Sequence, residues 1–204
     1  MLGGGCFRYG PVIKCGWKTD GPGWAVGIKR HGTEEGKAML DITRLSSRYA
    51  VRFMQDSDAE EILDFCRQNT QYYRYCGKQP SKELVLQDLR VTPPGIERSA
   101  KYYVGFYDHA VLVAIMDLID GYPGRDWGYI GFFMVNKQLQ GNQVGSGILR
   151  EVCQYLKTSG ITTVRLGIDK DNPQSNHFWK KNGFAVIREV EQDGGTILVA
   201  EKTL

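Results

Sequence analysis

Gln140-Gly141-Asn142-Gln143-Val144-Gly145-Ser146-Gly147 stands between an apolar run, Tyr129–Val135, and a segment of helical spacing, Val144–Lys157. A strand that turns through glycines into a helix leaves the first-turn N–H groups without intrahelical acceptors. Glycine lets the backbone come close to a ligand, and bare N–H groups at the positive end of a helix dipole favour phosphate. Two familiar phosphate loops are excluded. A Walker loop ends in Gly-Lys-Ser/Thr, and residues 140–147 contain no lysine. A dinucleotide fingerprint carries a third glycine three residues beyond Gly147, where Arg150 stands. On its own the octapeptide fits a phosphate cradle and a ligand-free strand–helix turn equally well.

The flanking pattern sets the fold class. Tyr49–Met54 is a short β-rich run, and Asp58–Asn69 has helical spacing with Ile62, Leu63 and Cys66 on one face. Ser81 and Glu83 open a second helix that must end before Thr92-Pro93-Pro94-Gly95. Tyr102–Tyr107 and Val111–Leu118 read as strands joined by a tight turn at Asp108-His109-Ala110. Gly121-Tyr122-Pro123-Gly124 is a further turn. After the 144–157 helix come a strand at Thr163–Ile168, a helix at Pro173–Asn182, and strands at Ala185–Val190 and Thr196–Glu201. This order predicts an α+β domain with a strand–loop–helix–strand unit at its centre.

Downstream, Asn172-Pro173-Gln174-Ser175-Asn176-His177-Phe178-Trp179-Lys180-Lys181-Asn182-Gly183-Phe184 begins with a good helix cap and N1 pair and ends on a glycine stop. Together with the loop it resembles the two-part signature of the Gcn5-related N-acetyltransferases (GNAT). The first part is Gln/Arg-x-x-Gly-x-Gly/Ala, with Gln140 first and Gly145 as the later glycine. The second is Asn-x-x-Ala/Ser-x-x-Phe-Tyr/Trp-x-x-x-Gly-Phe. In the strict form of the loop a glycine occupies the place of Gln143.

The resemblance covers residues 47–204 in element order and is strongest over 127–184. It implies a mixed, mostly antiparallel sheet flanked by helices, and acetyl-CoA as co-substrate without a metal. Residues 140–147 would then hold the pyrophosphate, with Asn172 and Trp179 beside the cofactor. Phe133, Met134 and Val135 would offer backbone to the pantetheine arm.

The implied chemistry is direct attack of a primary amine, on a small molecule or a peptide, on the thioester carbonyl. Many relatives carry a tyrosine at the place of Trp179, where it protonates the leaving sulfur. An indole N–H cannot do so, but a thiol with a pKa near roughly 8.5 leaves tolerably as thiolate. Asp117, at the end of a strand expected to point toward the cleft, is the candidate base, with capping of the following turn as the alternative. Tyr72, Tyr73 and Tyr75, between the first two helices, and Tyr122 are candidates for the acceptor pocket or for covering the sheet. A non-catalytic acyl-CoA-binding module is the competing expectation.

Composition sets bounds on the rest. Hydrophobic residues make up 42% and charged residues 24%, and the net charge is +3. Residues 1–38 hold six basic and three acidic residues, which leaves twenty of each in 39–204 and no basic footprint for nucleic acid. No apolar run reaches the roughly 18 residues of a membrane span, and neither a signal-peptide core nor a paired Cys-x-x-Cys is present. A cytoplasmic setting is expected, with a homodimer compatible. Ten of the 25 glycines fall in residues 1–36, so 1–38 read as a mobile extension ahead of a domain over 39–204. Alternatively, 1–38 are upstream sequence translated from a misplaced start, since Glu34-Glu35-Gly36-Lys37 admits purine-rich codons just before Met39.

Overall fold

The computed structural model describes residues 39–75, 79–192 and 195–204; the expectations for 1–38 lie outside the described residues. Seven strands form one sheet: β1 (Ala50–Phe53), β2 (Lys101–Asp108), β3 (Val111–Asp120), β4 (Trp127–Val135), β5 (Thr163–Asp169), β6 (Ala185–Gln192) and β7 (Gly195–Thr203). Their spatial order is β1-β2-β3-β4-β5-β7-β6. All neighbours are antiparallel except β4 and β5. A parallel pair needs a crossover. Here α4 (Val144–Thr158) supplies it.

Three helices precede β2: α1 (Ala59–Arg67), α2 (Thr70–Tyr75) and α3 (Lys82–Arg90). In α1, Glu60 and Glu61 lie in the first turn and Arg67 in the last, matching the helix dipole. The Ser81 side chain caps α3 by accepting from the N–H of Leu84, and extended Val91 ends it before the Thr92-Pro93 step. The six-residue α2 is not among the sequence expectations, which place its tyrosines in a connection. It is too short to show a periodicity, and Tyr73 anchors it in the core.

β2 and β3 are buried on both faces, which explains their near-continuous apolar sequences. One face packs Tyr102, Val104, Met116 and Leu118 against Ile148, Leu149, Val152 and Leu156 of α4 and against Trp179. The other packs Tyr103, Ile115, Phe132 and Met134 against Ile62, Leu63 and Cys66 of α1 and Val85 and Leu89 of α3. The described chain is tied in from its start. Leu40 is buried and donates its N–H to the Tyr102 hydroxyl, and the Asp41 N–H donates to the Tyr155 hydroxyl. Cys66 and Cys153 are buried.

Two irregularities in β4 prepare a site. Consecutive Asp117 and Leu118 of β3 pair with Phe132 and Ile130, so Gly131 bulges out of the ladder. The pairing of β4 with β5 also ends at Ile130 and Leu166, although both strands run on. Beyond that point the two diverge, and the β5-facing edge of β4 has no strand partner among the described residues.

Candidate functional site

A cleft of about 480 Å³ opens at this divergence. That size suits a cofactor or a drug-sized ligand. Its floor is Ile130–Val135 on one side and Leu166 and Gly167 on the other; α5 (Pro173–Lys181), the 140–146 loop and α2 close it.

The loop has the geometry of an anion site. Gly141 has φ +82° and Gln143 φ +59°, two left-handed residues that turn the chain sharply into α4. The first bond of the helix is Gly147 N–H to Gln143 O at 2.9 Å. Ahead of it, the N–H groups of Val144, Gly145 and Ser146 have no protein acceptor among the described residues, and all three residues line the cleft. Gly145 is glycine for a packing reason: an added Cβ would stand 3.0 Å from Val135 Cγ2 and 3.2 Å from Phe178 Cε2. The absence of a side chain seats the bare helix end directly over the end of β4.

Across the cleft, Asn172 caps α5: its Oδ1 accepts from the Ser175 N–H at 3.0 Å, with Pro173 at the first helical position. That bond fixes the amide orientation. The remaining donor, Nδ2, has no partner among the described residues, yet Asn172 is only 6% exposed and lines the cleft. A buried, unspent donor at a cavity wall is a group prepared for a ligand. Trp179 is buried on the same helix, in ring contact with Phe133, Phe178 and Phe184.

Of the residues expected at the cofactor, Phe133, Met134, Val135, Gln140, Gly141, Gln143, Val144, Gly145, Ser146, Asn172 and Trp179 line this cleft, while Asn142 and Gly147 do not. Lys137, His177 and Lys181 line it as well and were missed from sequence. Their signal was position: Lys137 lies just ahead of the loop motif and His177 and Lys181 lie inside the second, where the two lysines put positive charge near the expected phosphates.

The expected acceptor and base residues are spread more widely. Tyr72 lines the cleft and meets Phe132 edge-on, with ring centroids 5.8 Å apart. Tyr73 is buried in the core and Tyr75 is half-buried away from the lining. Tyr122 also lies outside the lining, edge-on to Tyr129 in a separate cluster with Ile119, Val190 and Val199. Asp117 faces the α1–α3 side opposite Phe132, but it is 1% exposed, and both carboxylate oxygens accept from Lys101 Nζ at 2.8 Å. It is not part of the cleft lining. Among the described residues no three His, Cys, Asp or Glu side chains gather as a metal site, and no helix is long and apolar enough to cross a membrane.

Comparison with known proteins gives this geometry a setting. The family model "Acetyltransferase (GNAT) family" matches residues 59–184. An acetyltransferase from Thermus thermophilus superposes with a TM-score of 0.63 at 20% identity, covering 76% of this chain and 97% of its own. The PaiA N-acetyltransferase of Thermoplasma acidophilum, solved with coenzyme A, has a TM-score of 0.56 at 18% identity, covering 76% and 99%. A Salmonella typhimurium acetyltransferase that modifies the N-terminal serine of ribosomal protein L7/L12 has a TM-score of 0.63 at 14% identity, covering 78% and 97%. At these identities the likeness establishes the fold. No curated protein matches the chain in sequence.

Proposed function

The chain belongs to the acetyltransferase (GNAT) family, and we propose that it transfers the acetyl group of acetyl-CoA to a primary amine of a small molecule or a peptide. The observation that carries this reading is the row of bare N–H groups at Val144–Ser146 above a cleft floored by the divergent β4 and β5. Pyrophosphate takes those N–H groups, with Lys137, His177 and Lys181 available to its charges. The pantetheine amides lie along the unpartnered edge of β4, and Asn172 Nδ2 supplies a further donor.

The thioester then falls near the Gly131 bulge, and the amine arrives from the α2 side past Tyr72 and Phe132. The amine nitrogen bonds to the carbonyl carbon while a β4 backbone N–H holds the developing oxyanion. Collapse of that intermediate breaks the C–S bond and releases CoA as thiolate, which takes its proton from water. Trp179 packs the cofactor and transfers no proton. The proton lost by the amine passes to water, because Asp117 would first have to exchange Lys101 for the incoming group. Such a route suits an amine of modest basicity; an α-amino group has a pKa near roughly 7.7–8.0, against about 10.4 for a lysine side chain.

Thiol release from acetyl-CoA is the test, run with polyamines, amino acids and peptides with free N-termini, alongside calorimetry with CoA. Saturable CoA binding and turnover on at least one amine are expected. Tight CoA binding with no turnover on any of them would favour the competing reading of a non-catalytic acyl-CoA-binding module, in which Trp179 takes the place of an acid. Absence of CoA binding would overturn both.

A further inference from the structure

The amide of Gln140 ties four parts of the molecule together. Its Nε2 donates to Asn69 Oδ1 at 2.6 Å and to Val135 O, the last residue of β4, at 3.0 Å. Its Oε1 accepts from Gln174 Nε2 in the first turn of α5 at 3.3 Å. Both amide hydrogens and the oxygen are therefore spent on holding the start of the cofactor loop.

Asn69 is the other half of this joint. It is 4% exposed and stands between α1 and α2. Its N–H donates to Cys66 O and its Nδ2 to Phe65 O, which closes α1, while its backbone O accepts from the Tyr72 N–H, which opens α2. Because Phe65 O can only accept, Nδ2 is fixed toward it and Oδ1 toward Gln140. Three residues after Asn69, Tyr72 stands against Phe132 beside the β4 bulge. A chain of hydrogen bonds thus runs from the phosphate-binding turn to the helix that walls the acceptor side of the cleft, across 71 residues of sequence.

Resting on the acetyl-CoA reading above, we propose that Asn69 and Gln140 are positioning residues through which occupancy of the cofactor loop sets α2, and with it the acceptor wall at Tyr72. Anion binding at Val144–Ser146 stiffens the turn that begins at Gln140. The Gln140–Asn69 bond passes that order to the one residue on which the α1–α2 junction is built. The acceptor wall is then fully formed when the cofactor is in place.

Hydrogen exchange on the full chain, with CoA itself as the probe, tests this. In the unaltered protein, saturating CoA is expected to slow exchange in peptides covering 144–149 and also in those covering 69–75. In Gln140→Ala, at CoA concentrations raised to saturation, protection of 144–149 persists. Protection of 69–75 falls by roughly fivefold, about the worth of one buried amide hydrogen bond. Gln140→Glu is the second variant: it keeps the volume but turns an acceptor toward Asn69 Oδ1 and Val135 O, and the same loss is expected. Equal protection of 69–75 in these variants and in the unaltered protein overturns the inference while leaving the cofactor reading intact, as does CoA protection confined to 144–149. No protection and no binding heat at any CoA concentration overturns the cofactor reading, and this inference with it.

Discussion

Gly145 and Gly147 sit two residues apart in the first turns of α4 and ask opposite things of a side chain. At Gly145 a Cβ would press on Val135 and Phe178, both part of the packed wall, while at Gly147 nothing lies within 4 Å. Gly145→Ala is expected to cost about 1–3 kcal/mol by overpacking, read from denaturant midpoints. Gly147→Ala replaces a helical glycine in open space, so it adds about 0.5–1 kcal/mol. Its N–H is already spent on Gln143 O, so the calorimetric affinity for CoA stays as it was. Weaker CoA binding by Gly147→Ala would show that the cofactor reaches one residue deeper into the helix than the bare N–H groups suggest. Gln143 gives a third contrast. It holds φ +59°, where a side chain is strained, and the strict family loop has glycine there. Gln143→Gly is expected to raise stability by up to about 1 kcal/mol, with CoA binding retained because the backbone N–H groups remain.

Among the elements, α5 separates structure from ligand binding most cleanly, because Asn172 uses one end of its amide for each. Asn172→Ala removes the cap and is expected to cost about 1 kcal/mol of stability, together with CoA affinity. Asn172→Asp keeps an acceptor for the Ser175 N–H, and its charge suits the helix N-terminus, so stability holds while CoA affinity still falls. If Asn172→Asp bound CoA as the unaltered protein does, Nδ2 would have no part in the site. This cap was legible in the sequence because it is local, spanning residues 172 to 175. The glycine turn into α4 and the apolar faces of α1 and α4 were legible for the same reason. The Gly131 bulge was not: Tyr129–Val135 is apolar at nearly every position, so no alternation exists for a bulge to interrupt. Asn69 was missed because its partner lies on a distant loop, and Tyr73 and Tyr122 read like Tyr72 until the fold gives each a different neighbour. For Asp117 the strand was readable but not its end, since β3 runs on to Asp120. Its lysine, set by the register of β2 on β3, was not readable either.

Charge is arranged differently outside and inside the whole molecule, and acid should expose the difference. Outside, Arg52 hydrogen-bonds Asp58 and holds its carboxyl below the usual range. Arg90 does the same for Asp56, as Lys82 does for Glu60. In each case the folded chain holds its carboxylate with fewer protons than the unfolded chain. This contribution is therefore complete above the ordinary carboxylate pKa values near roughly 4, shrinks as pH falls below them, and is gone once pH has passed the lowered folded-state values. Because these pairs are exposed, thermal midpoints are expected to fall only modestly as pH drops below roughly 4, and by roughly the same interval in Asp117→Asn as in the unaltered protein, since the pairs are independent of it. Inside, Lys101 and Asp117 form a pair with side chains 2% exposed. Removing one member strands a buried charge, so Asp117→Asn should cost about 3–5 kcal/mol at neutral pH, and Asp117→Leu with Lys101→Met should recover much of it. Turnover then separates scaffold from base. With water taking the proton, kcat per folded molecule of Asp117→Asn stays within about tenfold of the unaltered enzyme, whereas loss of a general base removes about 10²–10⁴. A fall of that second size in a folded variant, with the pH–rate profile losing its acid limb, would make Asp117 the base and Lys101 the group that surrenders it to the incoming amine.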